Sequence, residues 1–268
     1  MSTHEPPAAP TRDRADRVLV ARGLFDSRAR AQAAIAAGLV RVAGRVLAKP
    51  SETIASDAVI EAQEAYEWVS RAGLKLVAAL DAAGLDVTGR EALDVGASTG
   101  GFTEVLLARG AARVHAVDVG RDQIHSRLRG DPRVISREAT DIRDLAPGDL
   151  PAAGIVTIDV SFISLDAVLP AALAHAQPGA DLVALVKPQF EVGRDKLSKG
   201  GIVKDAEARQ AAVERIEARL TALGWRVSHR LASPILGGDG NEEFLLVASQ
   251  LVASDLVASD LVARQGEG

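Results

Sequence analysis

The stretch EALDVGASTGG, residues 91–101, decides the fold class of this 268-residue chain. It contains a mostly apolar strand pattern, a glycine-rich loop and the start of a helix, and similar runs alternate from about residue 70 onward. This alternation predicts an α/β fold with a doubly wound, mainly parallel sheet. The predicted strands are 91–95, 113–118, 134–135, 155–159, 182–186, 225–231 and 244–248, and the predicted helices are 101–109, 121–129, 166–176 and 205–223. The last two strands have no helix between them, which indicates an antiparallel edge.

The loop after the first of these strands has the features of a nucleoside site. Its glycines let the backbone approach a ligand, and Asp118 ends the next strand, where a carboxylate can accept both hydroxyls of a ribose. The loop lacks the G-x-G of a dinucleotide fold, and Asp94 would repel a diphosphate but suits an ammonium group. These features favour S-adenosylmethionine as the ligand. Another nucleotide, or a purely structural loop, is the alternative.

Charged residues follow two further strands. Asp159 ends the fourth strand of this region and Lys187 follows the fifth, and functional groups of doubly wound folds collect at this edge of the sheet. Lys75 lies on a helix before the first strand, and Glu243 immediately precedes the last. Each of the four could singly be a surface charge, but an aspartate and a lysine that both follow apolar strands favour a functional role for Asp159 and Lys187.

The N-terminal part of the chain is a small basic module. Residues 11–50 contain nine Arg or Lys and three Asp, a net charge of +6, whereas residues 51–268 carry −10. The pattern predicts helices over 14–22 and from Ser27 to residue 37, followed by a small twisted sheet. Arg28, Arg30 and Gln32 are expected to point outward from the second helix. The module therefore predicts a phosphate-binding surface, with a solvated basic face as the alternative.

Composition excludes several classes of protein. The absence of cysteine rules out a disulfide framework, a thiolate nucleophile and a cysteine metal site. There is no apolar run of about 18 residues, as a membrane-spanning helix would need. Residues 1–13 are interpreted as a disordered lead. The repeated Leu-Val-Ala-Ser pattern at the C-terminus predicts a non-catalytic tail over residues 250–268.

Residues 17–51 resemble the RNA-binding domain named after ribosomal protein S-four. The resemblance is carried by RVLVARGL at 17–24, Ser27-Arg28, Ala31, Ile35, GLVRV at 38–42, Gly44 and KPS at 49–51. It implies an α+β module over residues 14–63 that binds structured RNA. The residues implied to contact RNA are Arg22, Arg28, Arg30, Arg41 and Lys49.

The chain over residues 14–248 resembles the TlyA family of ribosomal RNA 2′-O-methyltransferases, within the FtsJ-like group. The matching stretches are SRAGLKL at 70–76, DVGASTGGFT at 94–103, VDVG at 117–120, DVSFISL at 159–165, KPQFEVGR at 187–194, KGG at 199–201 and GNEEF at 240–244. Two departures are Ala72, where a second glycine is usual, and Arg121-Asp122, where Gly-Tyr-Gly is usual. The resemblance implies a linker over 64–69 and a Rossmann-like methyltransferase domain over 70–249.

The same resemblance implies the cofactor, the site and the partners. S-adenosylmethionine is expected to be the cofactor, with ribosomal RNA or ribosomal subunits as substrate and cytidines as targets. We expect a cytoplasmic monomer that needs neither a metal nor a membrane. The implied cofactor-binding residues are Asp94, Gly96, Ala97, Ser98, Thr99, Gly100, Gly101, Phe102, Asp118, Val119 and Asp141. The implied catalytic tetrad is Lys75, Asp159, Lys187 and Glu243.

Lys187 is the expected general base of this tetrad. A ribose 2′-hydroxyl is a poor nucleophile and must lose its proton as it attacks, so Lys187 has to be neutral when it acts, an effect expected from burial and from Lys75 nearby. Asp159 and Glu243 are expected to orient the ammonium groups and the hydroxyl. Three alternatives stay open: an RNA-binding protein with an inactive core, a nicotinamide-dependent oxidoreductase, and a hemolysin, a name historically attached to this family.

Overall fold

The computed structural model describes residues 11–252 and divides the chain into two compact units, residues 1–67 and 68–268. The boundary falls inside the linker predicted over residues 64–69. Residues 1–10 of the expected lead and residues 253–268 of the expected tail lie outside the described residues.

The first unit is a small α+β module with two sheets. Its elements are β1 (Arg12–Arg14), α1 (Ala15–Ala21), α2 (Arg28–Ala36), β2 (Val40–Val42), β3 (Arg45–Val46), β4 (Thr53–Ala55) and β5 (Ile60–Ala62). One sheet pairs β1 with β4 antiparallel, and the other has the order β3-β2-β5. The side chain of Ser27 caps α2 by accepting a hydrogen bond from the backbone N–H of Arg30, as its sequence position predicts. The apolar faces of both helices pack together with residues of the strands, including Leu19, Ile35, Val40 and Ile54.

Strand β1 corrects the prediction that residues 1–13 form a disordered lead. Arg12 pairs with Ala55 and Asp13 with Ile54, so the ordered chain includes these two residues. Both strands are three residues long, and β1 is entirely charged. Such a strand has no alternating apolar pattern, and its pairing partner lies about 40 residues away, so local sequence gives no signal for it.

The second unit contains the predicted doubly wound sheet. Its strands are β6 (Glu91–Val95), β7 (Arg113–Val117), β8 (Val134–Arg137), β9 (Ala153–Ile158), β10 (Ala176–Val186), β11 (Trp225–Ala232) and β12 (Phe244–Gln250). Its helices are α3 (Ala72–Ala83), α4 (Gly101–Ala108), α5 (Ser126–Arg129), α6 (Leu165–Leu173), α7 (Pro188–Glu191) and α8 (Ala206–Ala222). The strand order is β11-β12-β10-β9-β6-β7-β8. β12 is antiparallel to both of its neighbours, which confirms the predicted antiparallel edge.

Apolar layers cover both faces of this sheet. One layer includes α6 and α8, with Leu169 and Ile216 fully buried, and the other includes α3 and α4, with Leu76 and Leu106 fully buried. The central strands are therefore apolar on both sides, as doubly wound sheets require.

Helix α5 is shorter than the helix predicted over residues 121–129. Asp122 has a positive φ of 53°, and the backbone N–H groups of residues 122, 123 and 124 donate to the carboxylate of Glu138 at 2.7–2.8 Å. Glu138 thus satisfies these amides in a turn, and the helix begins only at Ser126.

Strand register brings the predicted catalytic and ribose-binding residues to one edge. Val95 pairs with Val117 on β7 and with Ile158 on β9, and all three strands run parallel. Gly96, Asp118 and Asp159 directly follow these three ends, so they share the carboxyl edge of the sheet. Val186 at the end of β10 pairs with Phe244 at the start of β12, which places Lys187 and Glu243 at the same edge.

Candidate active site

A cavity of about 600 Å³ opens at this carboxyl edge. The ends of β6, β7 and β9 and the loops that follow them form its wall. Residues that line it include Gly96, Ser98, Asp118, Val119, Asp141 and Asp159. Five of the predicted cofactor-binding residues are in this wall, and Asp159 of the predicted tetrad lies beside them.

The glycine loop makes close contacts that only glycine permits. Gly96 has φ +81°, and a Cβ there would lie 2.5 Å from the carbonyl oxygen of Asp159. Gly100 has φ +95°, and a Cβ there would lie 2.3 Å from a methyl group of Leu128. The loop is therefore fixed against β9 on one side and against α5 on the other.

Asp118 is held in place by backbone amides of two loops. One carboxylate oxygen accepts from the N–H of Ser98 at 2.8 Å and the other from the N–H of Gly120 at 2.7 Å. Each carboxylate oxygen has more than one lone pair, so both can still accept a hydroxyl from the cavity. This geometry suits the two neighbouring hydroxyls of a ribose.

Asp141 lies on the cavity wall as an ionised acceptor. It begins the short 3₁₀ turn Ile142–Asp144, and its carboxylate accepts from the backbone and the guanidinium of Arg143. The hydrogen bonds from the Arg143 side chain lower the pKa of Asp141. Asp141 therefore presents a negative charge that is already largely neutralised, which suits a neutral donor such as an adenine amino group.

Asp94 does not occupy the place expected from the sequence. It is fully buried, and its carboxyl oxygens accept from the hydroxyls of Thr103 at 2.7 Å and Thr157 at 3.0 Å. Burial raises the pKa of Asp94 to about 7. The residue is outside the cavity wall, and its expected direct contact with an ammonium group stays a prediction. A strand-end carboxylate has the same sequence signature whether it faces the ligand or the threonines behind the loop.

Several other implied cofactor residues support the loop from behind. Ala97 and Phe102 are buried in the apolar layer beside α3 and α4, and Gly101 begins α4. Thr99 and Gly100 are also outside the cavity wall. The side chains of Ala97 and Phe102 therefore pack in the core, and the expected contacts of Ala97, Thr99, Gly100, Gly101 and Phe102 with the cofactor stay predictions.

The predicted tetrad is assembled as two lysine–carboxylate pairs. The Nζ atom of Lys187 lies 2.7 Å from Oδ1 of Asp159 and donates to the hydroxyl of Ser161 at 2.7 Å. The Nζ atom of Lys75 contacts the carboxylate of Glu243, and both side chains are more than nine-tenths buried. Each lysine thus has its own counter-charge. This arrangement differs from the expectation that Lys75 acts directly on the charge of Lys187.

Phe162 is a feature of the site that the sequence argument missed. It is 90% exposed, has a positive φ of 65° and lines the cavity three residues after Asp159. Its ring centroid lies 5.1 Å from that of Phe190. An exposed aromatic ring in a strained backbone conformation is a candidate platform for a nucleobase. The available signal was an aromatic residue in the loop that follows a strand, in a chain with only five phenylalanines.

In the first unit, the basic residues expected to bind RNA fall into two groups. Arg22, Arg28, Arg41 and Lys49 are exposed. Arg30 is instead only 5% exposed, because its guanidinium pairs with Glu64 at 3.0 Å and lies 5.0 Å from the centre of the Tyr66 ring. The structure therefore contradicts the outward orientation expected for Arg30. Its partners are more than 30 residues away, beyond the reach of helical periodicity.

Asp16 is a second residue that the sequence argument missed. Its carboxylate is fully buried, and it accepts hydrogen bonds from Arg14, Arg28 and Gln32. These donors hold the pKa of Asp16 well below its usual range, with Arg14 the main cause. The Asp16 carboxylate joins α1 to α2 and fixes the direction of Arg28.

Comparison with known proteins assigns each unit to a family. Residues 68–250 match the model of the FtsJ-like methyltransferases, and residues 13–60 match the S4 domain. The chain is 48% identical over 240 residues to the 16S/23S rRNA (cytidine-2′-O)-methyltransferase TlyA of Mycobacterium tuberculosis, covering 88% of this chain and 89% of that protein. It is 42% identical to YqxC of Bacillus subtilis, provisionally named an rRNA methyltransferase, covering 88% and 85% of the two chains.

A solved structure resembles the whole chain. It belongs to a Streptococcus thermophilus protein provisionally named a hemolysin, with a TM-score of 0.72, 38% identity and coverage of 97% of both chains. The similarity to these relatives agrees with the geometry of the site, in which the glycine loop, Asp118 and the paired lysines lie at one edge of the sheet. The chain belongs to the TlyA family of methyltransferases, in which an S4 domain precedes an FtsJ-like methyltransferase domain.

Proposed function

We propose that this chain transfers a methyl group from S-adenosylmethionine to the 2′-hydroxyl of cytidines in ribosomal RNA. The observation that carries the proposal is the Lys187–Asp159 pair, with 2.7 Å between Nζ and Oδ1, at the edge of a cavity of about 600 Å³ that Asp159 and Asp118 line. The name of the Mycobacterium tuberculosis relative supplies the nucleotide and the RNA class. An RNA of this kind implies action in the cytoplasm.

The residues of the cavity fit S-adenosylmethionine. The carboxylate of Asp118, fixed by the amides of Ser98 and Gly120, would hold the ribose hydroxyls. Asp141 and the loop from Gly96 to Ser98 would hold the adenine and the remainder of the nucleoside. When bound, the cofactor supplies a methyl group on a positively charged sulfonium. The sulfur is the leaving group, and it becomes a neutral thioether when the methyl group is transferred.

The chain's own contribution is to place the nucleophile and to remove its proton. Lys187 in its neutral form would take the proton of the ribose 2′-hydroxyl on Nζ as the oxygen attacks. Asp159 and Ser161 fix the position of that nitrogen from two directions. After the transfer, the proton remains on Lys187 as an ammonium ion paired with Asp159, so the charge formed in the step is balanced.

The buried pair of Lys75 and Glu243 supports this arrangement from the neighbouring strand. Glu243 immediately precedes β12, whose Phe244 pairs with Val186 next to Lys187. A Cβ on Gly237 would lie 2.4 Å from the Glu243 carboxylate, so the loop before β12 packs tightly on that group. The pair therefore joins the start of β12 to α3 and would keep this side of the site rigid.

Two further functions considered from the sequence receive no support from this geometry. The cavity has a ribose-binding carboxylate without the G-x-G turn that a nicotinamide dinucleotide needs. Among residues 11–252, no helix has the length and apolarity to cross a bilayer. A membrane-lysing activity is suggested by the provisional name of the Streptococcus thermophilus protein, but by no feature of the site geometry described here.

The test is a product analysis with purified protein. Unmodified 16S and 23S rRNA transcripts are incubated with methyl-labelled S-adenosylmethionine, then digested to nucleosides and separated by mass. We expect label in 2′-O-methylcytidine. Label in a base-methylated nucleoside would contradict the ribose assignment, and absence of label in RNA despite cofactor binding would support the inactive-core alternative.

A further inference from the structure

Residues 194–204 form a basic loop between α7 and α8, hereafter the basic loop. Its sequence RDKLSKGGIVK contains Arg194, Lys196, Lys199 and Lys204 against a single aspartate, a net charge of +3. Residues 51–268, which include it, carry a net charge of −10. Three of the six lysines of the whole chain lie in these eleven residues. The loop is therefore a concentrated positive feature on an acidic unit.

The four cations of the basic loop are exposed and without counter-charges. Within residues 11–252, none of the four side chains makes an ion pair or a side-chain hydrogen bond. Many arginines elsewhere in the second unit are paired with carboxylates, for example Arg90, Arg109, Arg127, Arg143 and Arg219. Unpaired cations at this density indicate a surface whose counter-charge is supplied by a ligand.

The basic loop is fixed in position although it has no apolar core of its own. Ser198 accepts from the backbone of Gly201 and donates from its hydroxyl to the carbonyl of Ile202. Gly200 and Gly201 have φ values of +95° and +76°, and no atom lies within 4 Å of a Cβ built on either. The glycines turn the chain directly after Lys199, which places that ammonium group at the tip of the turn.

Buried Asn241 connects the basic loop to the catalytic edge. Only 1% exposed, it accepts from the N–H of Val203 at 3.0 Å and donates to the carbonyl of Gly201 at 3.1 Å. It lies two residues before Glu243, and the basic loop itself begins seven residues after Lys187. Both ends of the loop are thus linked to lysine–carboxylate pairs of the site.

We infer that the basic loop binds the RNA backbone next to the nucleotide being methylated, with Arg194, Lys196, Lys199 and Lys204 contacting phosphates. This inference rests on the proposed function, since it concerns the same RNA. Spaced, flexible cations that have no carboxylate beside them are suited to binding phosphates. A phosphate contact carries no sequence preference. Asn241 is a positioning residue that keeps these contacts in register with the ribose at Lys187.

The test compares a charge-removing variant with a charge-keeping one. The first carries Arg194→Ala, Lys196→Ala, Lys199→Ala and Lys204→Ala, and the matched control carries Lys196→Arg, Lys199→Arg and Lys204→Arg. Binding of a 23S rRNA transcript is measured from 50 to 200 mM salt. Each lost phosphate contact lowers the slope of log K against log salt by about 0.7–0.9, so four contacts lower it by about 3. We expect the alanine variant to bind at least about tenfold more weakly and the arginine variant to bind normally.

Two further measurements separate the possible failures. Calorimetry with S-adenosylmethionine should give equal affinity for both variants, which shows that the second unit is folded. Methyl transfer by the alanine variant should recover at saturating RNA, with KM raised and kcat kept. An unchanged salt slope in an alanine variant that binds cofactor would overturn the assignment while the proposed function stands.

Two other results are informative. One distinguishes an RNA ligand of the basic loop from a protein ligand, and the other distinguishes failure of this inference from failure of the proposed function. If the alanine variant loses affinity for assembled ribosomal subunits but not for protein-free rRNA, the loop contacts ribosomal protein and the RNA assignment is wrong. If the unaltered chain transfers no methyl group to any RNA, the proposed function is wrong, and the phosphate role of the basic loop is rejected with it.

Discussion

Substituting Lys187 by alanine should abolish methyl transfer while both ligands still bind. Its ammonium group lies 2.7 Å from Asp159 and from the Ser161 hydroxyl, and its side chain is 11% exposed. Loss of a positioned general base lowers the rate by about 10²–10⁴-fold. Lost alignment adds to this figure, because the 15%-exposed carboxylate of Asp159 then has no counter-charge beside it.

The Lys187→Arg variant separates proton removal from charge. A guanidinium keeps the positive charge and can pair with Asp159, but it does not lose its proton near neutral pH. We therefore expect kcat of the arginine variant to stay near that of the alanine variant. The assay is methyl transfer from labelled cofactor to rRNA transcript, with kcat and KM determined separately, beside calorimetry for cofactor affinity.

Arg90→Ala provides a matched control within the same sheet. Arg90 pairs with Asp181 at 2.8 Å, and the two side chains are 24% and 14% exposed. Arg90 precedes β6, so the pair lies toward the amino ends of the strands, away from the cavity. Its loss should lower thermal stability and leave kcat unchanged. The base assignment is refuted if Lys187→Arg has near-normal kcat, or if Lys187→Ala raises KM more than it lowers kcat, as a phosphate-contacting cation would.

Three other predictions follow from the geometry. Asp118→Ala should weaken S-adenosylmethionine binding by about 1.5–3 kcal/mol in calorimetry, the usual value for a lost hydrogen bond to a charged group. Lys75→Met should lower the free energy of unfolding in denaturant by about 3–5 kcal/mol, because the buried Glu243 carboxylate loses its counter-charge, and adding Glu243→Leu should restore part of that loss. Asp94→Asn should remove a pH dependence of stability. Burial raises the pKa of Asp94 to about 7 from 3.8, so the folded chain holds a proton that the unfolded chain releases between these values. Relative to the variant, the unaltered protein should gain up to roughly 4 kcal/mol as the pH falls through that window.

Each of these predictions has a contradicting result. Unchanged cofactor affinity would remove Asp118 from the site. A Lys75→Met protein with normal stability would show that the Lys75–Glu243 pair does not stabilise the fold. Parallel pH–stability curves for the Asp94→Asn variant and the unaltered protein would show that Asp94 ionises as freely in the fold as in the unfolded chain.

The parts of the fold that local patterns could predict are those with strong apolar periodicity. The strand, loop and helix from Glu91 to Ala108 follow directly from an apolar run and glycines. The nearness of Asp159 and Lys187 could also be predicted, because they directly follow two apolar strands whose parallel pairing brings their ends together. The strands β1 and β4 could not, since three-residue strands with charged or mixed side chains have no period to detect.

Side-chain direction was the other quantity that the sequence could not determine. Arg30 occupies a helix position that helical periodicity places in solvent, but Glu64 and Tyr66 enclose its guanidinium. Asp94 ends a strand at the cavity, but two threonine hydroxyls from α4 and β9 hold its carboxyl in the interior. In both cases the decisive partner comes from a distant segment, and only the assembled fold reveals it.

The proposed reaction leaves methyl groups on the ribose 2′-oxygens of cytidines in ribosomal RNA. A map of 2′-O-methyl groups in rRNA from a host strain lacking the gene, before and after it is restored, tests this. We expect cytidine 2′-O-methyl groups that return with the unaltered chain and stay absent with Lys187→Ala. Identical maps with and without the gene, or a restored methyl group on a base, would contradict it.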